Sequence, residues 1–124
     1  MIDNGKFIEK HKFVDALHEQ EIICRQLDKF LDNYDIILTL GTSNSAPPRE
    51  IQELPDPSLI WTLSHVPAIT APAFRCPEGL PFGPQFISRR WNDYLLLQGI
   101  EELIDREILP SGSQKVINTD PDSF

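Results

Sequence analysis

Apolar residues recur with helical spacing over the first third of the chain. Neither proline nor glycine falls between Phe7 and Asn33, and the apolar positions are separated by steps of three, four or seven residues. These positions are Phe13, Leu17, Cys24, Leu27, Leu31 and Tyr34. The stripe predicts one long amphipathic helix over residues 7–33 with one buried face. Asn33 is expected to end it, because asparagine tolerates the left-handed conformation that closes many helices.

Shorter apolar runs follow the predicted helix. Residues 34–40, YDIILTL, are nearly all apolar or β-branched and predict a strand that is buried on both faces. The next segment, 41–48, is small and polar. A loop of this kind at the end of a buried strand is a usual place for a ligand site in an α/β protein. Residues 58–65 predict a short helix after Pro57.

Prolines at 67, 72, 77, 81 and 84 divide the next part of the chain. We expect strands over 66–74 and 82–88, joined as antiparallel neighbours by the turn-forming residues 76–81. Pro67 and Pro72 lack the amide hydrogen that a sheet ladder needs, so they are expected at an edge, a bulge or a strand end.

A final amphipathic helix is predicted over residues 91–109. The element order is therefore helix, strand, helix, strand, strand, helix. This order predicts an α/β fold in which helices flank a mixed β-sheet of about three strands. We expect a single domain over 1–109 and a flexible tail over 110–124.

The net charge of the chain limits the kinds of partner that it is expected to bind. The chain has 124 residues, of which 19 are acidic and 11 basic, and its net charge is −8. A phosphate backbone or an anionic membrane surface would repel it, so we expect no nucleic acid and no membrane as partners. The sequence lacks both a long apolar run and a basic-then-apolar leader, which favours a cytoplasmic chain. Cys24 and Cys76 are expected to be small buried residues, with a disulfide or a nucleophilic cysteine as the alternative.

The residues alone give no convincing catalytic set. No serine lies in a GxSxG or SxxK motif, and Ser43 and Ser45 fall in the predicted loop. His11, Asp15 and His18 have helical spacing but are more simply the exposed rim of the first helix than a metal site. There is no glycine-rich phosphate motif. We therefore predict no catalytic residue, no metal and no cofactor.

Several segments, taken in order along the chain, resemble the sequence pattern of a known enzyme family. They are Tyr34–Thr42 with Ala46-Pro47-Pro48, then Leu59–Ile69 with Ala71-Pro72, then Gly79–Gln85, and finally Asp93 with Leu95 and Leu96. This series resembles the C-terminal part of amidase-signature enzymes, over about residues 10–107. That family shows a Tyr-Asp before a buried strand, a Gly-Val-Pro-Ala-Ile run and a Gly-Leu-Pro-Val-Gly-Leu-Gln strand.

The resemblance implies part of an enzyme that hydrolyses amides. The Ser–Ser–Lys region of such enzymes lies well upstream of the resembling part, and no stretch here matches it, so no catalytic residue is carried over. What the resemblance implies for this chain is a wall of the substrate pocket, formed by Thr39, Thr42, Ile60 and Trp61. The implied partner is an N-terminal amidase-like chain or a second copy bound through an exposed sheet edge, and a small amide is a substrate only of the completed enzyme.

Three departures from the family pattern leave a second interpretation open. Leu40-Gly41 replaces a loop proline, His65 replaces the glycine before Val-Pro, and Pro84 stands where an aliphatic residue is usual. These changes favour a relic or repurposed module with a binding or structural role and no turnover. A stand-alone hydrolase that uses Ser43 and His65 is a third and weaker interpretation.

Overall fold

The computed structural model describes residues 7–42, 47–51 and 57–111. Within these ranges the elements in chain order are α1 (Lys10–Leu31), β1 (Ile37–Leu40), α2 (Leu59–Leu63), β2 (Ala68–Thr70), β3 (Phe74–Arg75), β4 (Pro81–Phe82), β5 (Pro84–Ile87) and α3 (Asp93–Asp105). The predicted helices and strands are present, and each is shorter than its sequence pattern. The tail beyond Ser111 and the serines at 43 and 45 lie outside the described residues.

The central strand of the main sheet is β5. It pairs with β1 on one side and with β2 on the other, and Ile87 lies opposite both Ile37 and Ala68. Both pairings are antiparallel. The prediction of a mixed sheet was therefore wrong, because no two neighbouring strands in the described part of the chain are parallel. The predicted three strands flanked by helices, with antiparallel neighbours across the 76–81 turn, are confirmed.

Two apolar clusters lie on opposite faces of β5. Successive side chains of a strand point to opposite faces, so Phe86 and Ile87 enter different clusters. Phe86 packs with Leu96 of α3 and with Ala71, Ala73 and Leu109. Ile87 is fully buried with Leu31 of α1 and Val66. The result is three layers, in which α3 covers one face of the sheet and α1 with α2 covers the other.

The prediction that β1 is buried on both faces was wrong. Ile37 is half-buried, whereas Leu38 and Leu40 are 63% and 69% exposed. The cause is the strand's position. β1 is an outer strand, and α3 lies over the neighbouring Phe86 rather than over the far end of β1. An apolar run alone did not distinguish an outer strand from a central one.

Prolines explain why the two predicted strands are divided. Pro67 lies just before β2, and Pro72 lies between β2 and β3, as expected for residues without an amide hydrogen. Residues 81 and 82 leave the main sheet to form a separate two-stranded ribbon with β3. Gly83 lies between β4 and β5, where a Cβ would be 1.7 Å from the carbonyl oxygen of Ala71, so only glycine fits.

An arginine pair anchors the end of β5 to α1. Arg89 donates to Asp32 over 2.8 Å, and Nε of Arg90 donates to Asp28 over 2.9 Å. The hydrogen bond with Asp28 also raises the pKa of the Arg90 guanidinium above its ordinary value. These contacts fix the C-terminal half of α1 across the sheet. Among the described residues, none of the helices is both long and apolar enough to cross a membrane.

Ile87→Ala is expected to lower the free energy of unfolding by about 2–5 kcal/mol, because it leaves a cavity between the sheet and α1. Chemical denaturation monitored by circular dichroism measures the change. Leu38→Ala on the neighbouring strand is the matched control and is expected to cost less than about 1 kcal/mol, since that side chain is exposed. Equal losses for the two variants would contradict the assignment of Ile87 to the core.

Candidate functional site

A row of polar side chains crosses the sheet on the side that faces α1 and α2. Thr39 of β1 lies opposite Gln85 of β5, which in turn lies opposite Thr70 of β2. Side chains opposite each other in an antiparallel pair are about 4.5–5.5 Å apart at Cβ, so the three are neighbours. Gln85 shares its face with Ile87, two residues on. The polar row therefore borders the apolar cluster of Leu31, Val66 and Ile87.

Gln85 is the buried member of the row. The residue is 8% exposed, and its Nε2 donates to Thr70 Oγ1 over 3.4 Å. Its Oε1 is buried without a hydrogen-bond partner in the described part of the chain. A buried acceptor left unpaired is costly, and each such group in a folded protein needs an explanation. A ligand or partner with a hydrogen-bond donor would satisfy it.

Trp61 brings a second unpaired group to the same side of the sheet. Its ring packs against the Leu31, Val66 and Ile87 cluster, and its Nε1 is buried without a partner among the described residues. Gln85 and Trp61 thus bring an unpaired acceptor and an unpaired donor to this side of the sheet, and Asp28 Oδ1 on α1 is a further unpaired acceptor. An amide group offers the complementary pair, a carbonyl acceptor and an N–H donor.

The position of Trp61 depends on how α2 ends. Gln20 of α1 donates to the carbonyl of Leu63 over 2.7 Å, and the Cys24 thiol lies 3.6 Å from the carbonyl of Ser64. His65 follows in the left-handed region with φ of 55°, and its Nε2 lies 3.1 Å from Gln20 Nε2. Side chains of α1 therefore satisfy the free carbonyls at the end of α2. His65, the last residue of the helix predicted over 58–65, lies just beyond this helix end.

The four residues predicted to line a pocket are not all brought together. Thr39 and Trp61 lie on the same side of the sheet, because Ile37, which shares a face with Thr39, packs in the cluster that contains Trp61. Ile60 and Thr42 are exposed. Gly41, next to Thr42, lies close to Thr70, where a Cβ would be 3.2 Å from Cγ2. The role of these residues in a pocket stays a prediction.

Sequence reasoning missed Gln85 and Thr70. Both fall in short segments that read as strand, and nothing in a single strand shows which residues of other strands lie beside it. The signal that was available is the polar glutamine within Pro84–Ile87, a segment otherwise made of apolar residues and a proline. A polar residue at the buried centre of a sheet is informative because burying it is unfavourable.

Other candidate groups are dispersed in the described part of the chain. His11, Asp15 and His18 lie on the exposed half of α1, and no group of three metal-ligating side chains comes together there. Cys24 is buried and Cys76 half-buried, and both thiols are free. The pair of Ser43 and His65 is untested, because Ser43 lies outside the described residues.

Comparison with known proteins leaves the family open. No protein-family model matches the chain. No curated protein matches it either. The resemblance to amidase-signature enzymes therefore stays a prediction that rests on the quoted residues.

Gln85→Met is expected to leave the free energy of unfolding unchanged or to raise it by up to about 1 kcal/mol. It removes an unpaired buried acceptor without creating a large cavity, and this gain offsets the loss of the long hydrogen bond to Thr70. Denaturant titration measures the effect. Ser88→Ala is the control, since the Ser88 hydroxyl donates to the Asp35 carbonyl over 2.9 Å and its loss is expected to cost about 1–2 kcal/mol. A Gln85→Met variant as unstable as Ser88→Ala would show that Oε1 has a partner.

His65→Gly is expected to raise the free energy of unfolding by up to about 1 kcal/mol, because glycine adopts a positive φ without the strain of a side chain. Thermal unfolding measures the shift. His65→Ala, which loses the Gln20 contact and keeps the strain, is expected to be less stable than the parent chain. A glycine variant no more stable than the alanine variant would contradict the left-handed assignment.

Proposed function

We propose that this chain supplies the C-terminal part of an amidase-family hydrolase and contributes sheet and pocket wall rather than the catalytic triad. The reaction of the completed enzyme is hydrolysis of the C–N bond of a small amide. The nucleophile and its activating groups belong to a part of the enzyme outside this chain. Thr39 and Trp61 are the proposed wall residues on the side of the sheet that carries Gln85, and Thr42 and Ile60 extend the wall at its exposed rim.

The arrangement of the quoted segments supports this proposal. The segments at 34–42, 66–69 and 79–85 are distant in sequence, and they hold β1, the start of β2 and the start of β5. These are the three neighbouring strands of one sheet. The left-handed φ of His65 also lies where the family pattern has glycine, the residue best suited to that conformation.

The observation that carries the proposal is an unfinished sheet. β1 and β2 are outer strands without a further partner strand among the described residues, and Leu38 and Leu40 of β1 are exposed. A strand edge without a partner strand and an uncovered apolar face both favour association with further chain. Further chain that continues the sheet beyond β1 and packs over its face would cover these leucines.

Binding chemistry adds a separate support. The unpaired Gln85 acceptor and Trp61 donor suit amide chemistry, because an amide carries both an N–H donor and a carbonyl acceptor. A protein that keeps such groups loses stability unless something compensates. Proteins commonly accept such a loss of stability at the sites where they bind ligands.

A non-catalytic role is the second candidate, and one observation favours it. Gly41 packs closely against Thr70 at the end of the polar row, which leaves less room there than a substrate pocket needs. On this alternative the chain is a relic or repurposed module that binds or supports another protein, or a second copy of itself, without turnover.

Mixing the purified chain with an amidase-signature enzyme truncated before the resembling part is expected to produce amide hydrolysis that neither component shows alone. Release of ammonia from small aliphatic and aromatic amides measures it. Leu38→Asp is expected to abolish the effect, because a charge on this face opposes its burial under the added part of the enzyme. Ile22→Ser, on the exposed side of α1, is the matched control and is expected to leave it unchanged.

Two outcomes would contradict the proposal. Hydrolysis by the chain alone would show that it holds its own catalytic set. A folded chain that neither binds the truncated enzyme nor restores its activity would favour the non-catalytic module.

A further inference from the structure

We draw no further inference here: the strongest candidate, the exposed apolar patch of Phe13, Val14 and Leu17 on the N-terminal half of α1, rests on exposure alone, because nothing in the structure shows what covers it.

Discussion

The packing of β5 between two apolar clusters is the interaction on which the rest of the structure depends. The strand Pro84–Ile87 pairs with both other strands of the sheet, and adjacent side chains enter opposite layers. Phe86 fixes α3 to one face, while Ile87 fixes α1 and Val66 to the other. Because Gly83 permits the close approach to Ala71, the strand enters the sheet without displacing its neighbour. Loss of this strand would separate both layers at once.

The same arrangement explains why the candidate site lies where it does. A strand buried on both faces has no outward side for a polar residue, so Gln85 is buried beside Ile87. The row of Thr39, Gln85 and Thr70 then forms the polar end of an otherwise apolar layer. Trp61 reaches this layer because α1 side chains hold the end of α2. The proposed pocket wall is thus a consequence of how the core is built.

A core this small leaves much apolar surface uncovered. α3 covers Phe86 but not Leu38 and Leu40, and the body supports only the C-terminal half of α1. Both uncovered regions lie at the border of a layer, where an additional strand or helix would extend the existing one. The proposed amidase partner would extend the sheet at β1.

The element order and the helix stripe followed from the sequence, because periodicity and proline positions are local properties. Which strand is central did not follow, since β1 and β5 both read as apolar runs and only the tertiary packing places β5 between two layers. The polar row was missed for the same reason, as Thr70 and Gln85 become neighbours only across strands. Thr39 and Trp61 were chosen as pocket residues through the resemblance rather than from physical reasoning about contacts, and their role stays a prediction.

Native-state hydrogen exchange tests the central role of β5 most directly. The account predicts that the amides of Gln85, Phe86 and Ile87 that donate in the ladder exchange only through global unfolding. The amides of residues 10–19 should exchange through local opening at a much lower free energy. Exchange of the β5 amides at the low free energy of the N-terminal half of α1 would contradict the account, because the rest of the fold would then persist without its central strand.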